Sequence, residues 1–219
     1  MNNDLTTLFS EIVLPSLGAT LYMVIIATIL STILGFILAI MLIVTDEDGL
    51  KPNKPFYNVL NTVINTIRSF PFIILLVSII PLTRTIVGTS IGATAAIVPL
   101  TVAASPFVAR LIETSLKEVD DALIEAAKSF GATDIQIIYK IMIKESIPSI
   151  TSNITIAIIN ILGTTAMAGA VGAGGLGAVA LIFGYPNFNK TIMYSTVLVL
   201  VILVQAIQFA GNSVYKILK

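Results

Sequence analysis

The chain has 219 residues, and its 12 Lys and Arg balance its 12 Asp and Glu to a formal net charge of zero. Only 11% of the residues are charged and 56% are hydrophobic, whereas roughly 25% are charged in an ordinary soluble domain. So few charges cannot cover a water-facing surface, which excludes an ordinary soluble enzyme. Because the chain has no His and no Cys, it lacks the usual ligands of zinc and haem, and we expect no metal, no cofactor and no catalytic residue. A net charge of zero also argues against a nucleic-acid partner.

Long uncharged stretches predict an all-α, polytopic membrane protein. A helix of about 20 apolar residues crosses the hydrocarbon core, and within lipid its backbone hydrogen bonds must close locally. The sequence predicts five such spans, near residues 17–44, 69–88, 92–112, 147–167 and 191–212. The first eleven residues contain two acidic residues and no Lys or Arg, which disfavours a cleaved signal peptide. We therefore expect the first span to be retained.

The basic residues predict the orientation of these spans. Five spans place the segments 45–68 and 110–146 and the C-terminal tail on one side, and only Arg84 and Lys190 on the other. The first side holds Lys51, Lys54, Arg68, Arg110, Lys117, Lys128, Lys140, Lys144, Lys216 and Lys219. Because basic residues accumulate in cytoplasmic loops, we expect the N-terminus outside and the C-terminus in the cytoplasm.

The polar region between spans three and four is predicted to form two short helices. Asp120 can cap the first, and Gly131 can end it. Thr133 followed by Gln136 is a capping-box pattern that opens the second helix, which we expect to end before Pro148. At roughly 10 to 12 residues each, neither helix can cross a bilayer.

The first short helix has one apolar stripe. Leu123, Ala126, Ala127 and Phe130 follow the i, i+3, i+4, i+7 spacing of a single helix face. The two alanines keep the stripe shallow, which suits insertion into a groove on another protein. The alternative is a helix that lies on its own bundle or on the headgroup layer.

A known family matches this region. Glu125-Ala126-Ala127, with Gly131 four residues beyond and Ile147-Pro148 further on, resembles the EAA motif of ABC-transporter permease subunits. In that family the segment is a coupling helix that docks on a cytoplasmic ATPase. The resemblance implies a type I importer permease fold over residues 15–212 with a cytoplasmic coupling region at 113–146. It also implies a coupling role for Glu125, Ala126, Ala127, Gly131 and Pro148.

Longer stretches resemble a narrower subfamily, the permease of the methionine importer. They are residues 68–76, 83–92, 97–101 and 168–177. The resemblance implies a bacterial cell-membrane complex of two permease copies and two ATPase subunits, served by an extracytoplasmic substrate-binding lipoprotein. We expect that lipoprotein near Arg84 and residues 178–190. The enantiomer of methionine stays open.

Two groups of residues are candidates for the transport pathway or its gate. Asn160, Thr164 and Met167 share one helical face of span four. Gly172, Gly174 and Gly175 are too closely spaced for a regular helix and predict a bend at its outer end. The alternative for both groups is helix packing, through hydrogen bonds between spans and small-residue contacts.

The sequence lacks the features that are typical of a proton-coupled carrier and of an ATPase. We expect no buried carboxylate within a span, although proton- or sodium-coupled carriers usually keep one. The chain also has no Gly-x-x-x-x-Gly-Lys-Ser/Thr loop, so nucleotide should bind only to a partner. No residue identifies an amino-acid substrate chemically. A permease for another small solute, a passive channel and a secondary carrier therefore remain as alternatives.

Overall fold

The computed structural model describes residues 9–186 and 188–219, and within these ranges the chain is helical and contains no strand. Residues 1–8 and Asn187, which belong to the predicted N-terminal and outer segments, lie outside the described residues. The helices are α1 (Leu14–Thr45), α2 (Lys54–Ser69), α3 (Phe72–Ser78), α4 (Ile80–Val87), α5 (Ala93–Lys117), α6 (Asp121–Ser129), α7 (Asp134–Ile137), α8 (Ile143–Ala168), α9 (Gly175–Ala178) and α10 (Lys190–Leu218). Stretches of π-helix precede α1, join α7 to α8, and follow α8 and α9, at Phe9–Val13, Ile138–Met142, Gly169–Ala173 and Val179–Gly184.

Four continuous helical segments of the described residues are long and apolar enough to cross a membrane. They are Glu11–Thr45, Ala93–Lys117, Asp134–Ala173 and Lys190–Leu218. Helices α2 and α3 together make a fifth candidate, but they meet at an angle of 105°. The described part of the chain is therefore all-α with four candidate spans, or five when the bent pair is counted as one.

The second predicted span is not a continuous helix. Residues 69–88 contain a break at Phe70 and Pro71 and another at Ile79, between α3 and α4. Pro71 has no backbone N–H, and Phe70 before it is extended, with φ −74° and ψ 130°. The expectation of one helix over 69–88 is wrong because this proline starts a new helix rather than lying inside one.

The prediction for the polar region is right at two helix starts and wrong at one helix end. The Asp120 side chain accepts a hydrogen bond from Ala122 N (2.9 Å), and Thr133 and Gln136 form a reciprocal capping box. The second helix, however, does not end before Pro148, because α7 continues through a π-helical turn into α8. Pro148 removes only one backbone donor, and the residue four positions earlier, Lys144, is exposed, so water can satisfy its carbonyl.

Two clusters of buried side chains form the core of the bundle. The first contains Met23, Val24, Ala27, Leu76, Ala96, Leu100, Ala104, Ile161, Leu162, Ala168 and Ala173. The second contains Ala39, Ile43, Val108, Ile112, Leu116, Ile137, Ile138, Met142, Ile150 and Ala157. Helices α1 and α5 join both clusters and approach closely at Gly35, where a Cβ atom would meet Val108 at 2.7 Å. Small residues allow such close packing in membrane helices.

The two ends of the bundle are held by different contacts. At one end, which we call the α6 end, Asp46 and Lys51 after α1 form ion pairs with Lys117 of α5 and Asp134 of α7. At the opposite end, the glycine end, Gly92 N donates to Gly172 O (2.9 Å). Leu176 N donates to Thr20 Oγ1 of α1 (2.9 Å) at the same end. The first turns of α1, the start of α5 and the end of α8 therefore meet at the glycine end, away from α6.

Candidate docking and pathway surfaces

Helix α6 has one face on the bundle and one face free in the subunit. Ile124 and Ala127 are half-buried and pack on the second core cluster. Ala126 is exposed, Leu123 is 45% exposed and Phe130 is 91% exposed. Three of the four stripe residues thus face outward, whereas Ala127 faces the protein's own core. Such an uncovered apolar ridge is typical of a surface that binds a partner.

The end of α6 is a tightly hydrogen-bonded reversal. Gly131 N donates to Lys128 O (2.9 Å), and Ala132 N donates to Ala127 O (3.0 Å), which is the Schellman pattern. Gly131 is left-handed, with φ +77°, a conformation that residues with a Cβ adopt only with strain. The reversal fixes the direction of α6 relative to α7, so the exposed ridge has a defined orientation.

A polar cavity of about 480 Å³ separates α6 from the segment after α1. Asp48, Asp121, Glu125 and Lys128 contribute charged groups to its lining. Glu125 therefore borders this cavity rather than the core. Pro148 lines a different cavity of about 490 Å³, together with Glu118 and Ser149, so the structure does not bring it beside Glu125.

Asp46 also lines the first cavity and forms an ion pair there. Its carboxylate lies 2.6 Å from the Lys117 ammonium. Burial raises the pKa of Asp46, but hydrogen bonds from Lys117 and from the Glu47 N–H outweigh this effect and leave the pKa below its usual value. The carboxylate is therefore ionised at neutral pH, and Lys117 is already paired.

The predicted pathway residues of α8 lie on a face that the subunit itself leaves uncovered. Asn160 is exposed, Thr164 is half-buried and Met167 is 49% exposed. The Thr164 hydroxyl donates to the Asn160 carbonyl (2.8 Å) within the helix. Ile156 and Gly163 are also exposed on this face, although they are not among the predicted pathway residues. Positions 156, 160, 163 and 167 are separated by four, three and four residues, which is the spacing of one helical face and was the available signal.

The three predicted gate glycines lie in a bend, but they do not share one environment. Gly172, Gly174 and Gly175 have φ values of +94°, +78° and +77°. Gly175 is buried, and a Cβ there would meet Thr20 Oγ1 at 2.7 Å. The next amide, Leu176 N, donates to the same hydroxyl (2.9 Å). Gly175 therefore packs the bend onto α1, whereas Gly172 and Gly174 are partly exposed.

One functional candidate was missed, a buried carboxylate that lies one residue beyond the predicted span 92–112. Glu113 is 4% exposed and lies inside the segment Ala93–Lys117. Its carboxylate is 2.6 Å from Arg110 and 3.2 Å from Lys117. The i, i+3 and i, i+4 spacing of these opposite charges was the available signal. In the described part of the chain, no group of three or more acidic residues is arranged to hold a metal ion.

The comparisons with known proteins identify the family. The family described as "Binding-protein-dependent transport system inner membrane component" matches residues 31–219. The chain belongs to this family. It is thus a multi-pass inner membrane component of a transport system, and the predicted resemblance to ABC-transporter permeases is confirmed.

Two relatives in the family match most of the chain. The probable D-methionine transport system permease protein MetI of Vibrio cholerae is 48% identical over 207 residues, which are 94% of this chain and 92% of that protein. The methionine import system permease protein MetP of Bacillus subtilis is 40% identical over 178 residues, covering 81% of this chain and 80% of that protein.

A solved structure has the same fold. A chain from inward-facing conformations of the MetNI methionine ABC transporter superposes with a TM-score of 0.94 at 42% identity, covering 96% of this chain and 98% of that chain. The type I ABC importer permease fold that the sequence resemblance implied is therefore confirmed.

Proposed function

We propose that this chain is the membrane-spanning permease subunit of an ATP-driven importer that carries methionine into a bacterial cell. The observation that carries the proposal is the similarity over almost the whole chain to permeases named for methionine transport, together with the close superposition on a MetNI chain. The match includes the α6 segment and the helical bundle, which are the two parts such a subunit requires.

ATP hydrolysis belongs to a separate subunit that docks on α6. The exposed ridge of Leu123, Ala126 and Phe130 supports this role because the rest of the subunit leaves it uncovered. Glu125 borders the ridge and is exposed, so it is free to pair with the partner. Gly131 fixes the ridge's orientation, and Ala127 anchors α6 to the bundle. Pro148 lies within α8 and lines a separate cavity beside Glu118 and Ser149, so its part in coupling is indirect.

Two permease copies and two ATPase subunits form the complex, and an extracytoplasmic lipoprotein delivers the substrate. The N-terminus lies outside and the C-terminus in the cytoplasm, so the α6 end is cytoplasmic and the glycine end is external. This orientation is supported by the basic residues Lys51, Lys117 and Lys128 at the α6 end. Closure of the two ATPases would move the two α6 helices together and switch the bundle between inward- and outward-open states.

The uncovered face of α8 supplies the pathway. Asn160, Thr164 and Met167 combine two polar groups with a flexible thioether, which suits weak contacts with a passing amino acid. Gly172 and Gly174 contribute the bend that shapes the outer end of this path. Gly175 acts by holding the bend on α1. The buried carboxylate Glu113 does not favour a proton-coupled carrier, because two cations already pair with it.

Uptake by the reconstituted complex tests the function. Proteoliposomes that contain this chain, its ATPase and the binding protein should accumulate labelled methionine only with internal ATP. Excess unlabelled L- and D-methionine should compete, whereas an unrelated amino acid such as aspartate should not. Failure of both enantiomers to compete would reassign the substrate to another solute, and uptake without ATP would favour a carrier.

A further inference from the structure

A buried ion triad lies near the α6 end of α5. The Glu113 carboxylate uses one oxygen for Arg110 Nη1 (2.6 Å) and the other for Lys117 Nζ (3.2 Å). The Glu113 side chain is only 5% exposed, whereas the side chains of its partners are 21% and 44% exposed. The carboxylate is therefore the buried centre of the triad: it is the ion-pair partner of Arg110, and it shares Lys117 with Asp46.

Both cations also contact other helices. Arg110 donates through its second terminal nitrogen to Asn61 Oδ1 of α2 and, at 3.4 Å, to Asn65 Oδ1 one turn further along the same helix. Lys117 pairs with Asp46, directly after α1, at 2.6 Å. Glu113 thus orients two side chains that link α5 to α2 on one side and to the end of α1 on the other.

The hydrogen bonds from Arg110 help to fix the position of α2, because few other side chains of this helix are buried. Of the α2 side chains, all within the described residues, Ile64 alone is buried. A buried ion pair is a poor way to gain stability, since apolar side chains of similar size often do as well or better. A polar connection at this position is therefore better explained by a need for one defined arrangement of α2 against α5.

The same end of α5 is continuous with the docking segment. Helix α5 ends at Lys117, and only Glu118, Val119 and Asp120 separate it from α6. Val119 is buried, with 6% exposure, so the connection cannot swing freely. A displacement of α6 therefore moves the end of α5. On the other side, α2 leads directly into the 105° bend and α3.

We propose that Glu113 is a positioning residue for energy coupling: through Arg110 and the two asparagines, it transmits the movement of α6 to the bent pair α2 and α3. This inference rests on the proposed docking of an ATPase on α6. It adds a route for the movement within the membrane bundle, which passes through side chains outside the α6 motif. The carboxylate acts by orienting Arg110 and Lys117 and does not contact the substrate.

The test measures solute taken up per ATP hydrolysed in proteoliposomes of the whole complex. Glu113→Gln keeps the shape of the side chain but removes its charge, and we expect uptake per ATP to fall at least fivefold while substrate-stimulated ATPase activity stays within about twofold. Glu113→Asp keeps the charge and should restore at least half of the coupling. A merely structural role would lower uptake and ATPase activity in parallel and leave their ratio unchanged.

A matched control and a second variant keep the test decisive. Glu47→Gln removes the same charge from the ion pair with Lys54, whose side chains are 64% and 70% exposed, and coupling should stay normal. The double variant Asn61→Ala/Asn65→Ala leaves the triad intact, cuts the link to α2 and should uncouple like Glu113→Gln. Normal coupling in either Glu113→Gln or the double variant would overturn the inference, and the double variant decides if Glu113→Gln does not assemble.

Failure of the proposed function would look different. In that case the wild-type complex would show no ATP-dependent uptake of methionine at all. If the wild type transports another solute with ATP, the same ratio is measured with that solute. The inference about Glu113 is then tested only by the uptake per ATP of the variants relative to the wild type.

Discussion

At the scale of single residues, Gly131 holds a conformation that other residues reach only with strain. Its φ is +77°, and a Cβ atom built there would meet no atom within 4 Å. Gly131→Ala should therefore lower the free energy of unfolding through backbone strain alone, by about 1–2 kcal/mol. Thermal unfolding of the purified complex measures the change.

Gly18 provides the control for Gly131. It lies in α1 and does not have a positive φ, and a Cβ atom at this position would also meet no atom within 4 Å. Gly18→Ala should leave stability unchanged or raise it by about 0.5–1 kcal/mol, because Gly is unfavourable within a helix. Equal stability of the two variants would contradict the assigned strain at Gly131.

Asp46 predicts a simple dependence on pH. Its folded-state pKa lies below the unfolded value of 3.8 because the Lys117 and Glu47 hydrogen bonds outweigh the opposing effect of burial. Its contribution to stability is therefore complete above the unfolded pKa and is lost only as the pH falls through the folded pKa. Asp46→Asn should cost about 0.5 kcal/mol, equally at pH 8 and pH 5. A cost that shrinks between these two pH values would contradict the lowered pKa.

At the scale of helices, local signals predict the starts of α6 and α7, and long-range contacts decide the rest. Asp120 and the pair Thr133 and Gln136 act within one turn, so their sequence spacing is sufficient. The continuation of α7 past Pro148 depends on packing of Ile137, Ile138 and Met142 in the second core cluster. Sequence spacing alone does not reveal such long-range contacts. For the same reason it does not show that Glu113 is buried.

The sequence pattern predicts one apolar stripe on α6, but in the structure part of this stripe packs on the bundle and the rest is exposed. Ala127, expected on the docking face, is half-buried on the bundle, because Ile124 and Ala127 together anchor the helix. Periodicity predicts the apolar side of α6 but cannot tell which part of it the bundle covers. The bend between α2 and α3 escapes prediction for a related reason, because the hydropathy pattern places Pro71 inside a span.

Ala126 is therefore the best position for testing the docking face. It is exposed, so Ala126→Arg should leave the fold intact while a long charged side chain blocks close approach of the ATPase. We expect ATP-dependent uptake to fall at least tenfold, with little change in the thermal unfolding of the permease alone. Ala126→Ser is the matched control and should retain most uptake. Normal uptake in Ala126→Arg would exclude this face as the docking surface.

At the scale of the whole molecule, the two ends of the bundle differ in the kind of contact that holds them. Ion pairs of Asp46, Lys51, Lys117 and Asp134 join the α6 end, whereas backbone and hydroxyl hydrogen bonds around Gly172 and Thr20 join the glycine end. Although the net charge of the chain is zero, its charged residues are concentrated at the α6 end. The positive-inside rule translates that difference into an orientation.

The predicted orientation can be measured directly because the chain has no native cysteine. Phe130 at the α6 end is 91% exposed, and Ile91, before α5 at the glycine end, is 70% exposed. In intact cells, a maleimide that cannot cross the membrane should label Ile91→Cys, and it should label Phe130→Cys only in inside-out vesicles made without the ATPase. Ala27→Cys, at a position with 0% exposure, should stay unlabelled in both preparations. Labelling of Phe130→Cys in intact cells would contradict the predicted orientation, because α6 would then lie on the outer side of the membrane, where a cytoplasmic ATPase cannot bind it.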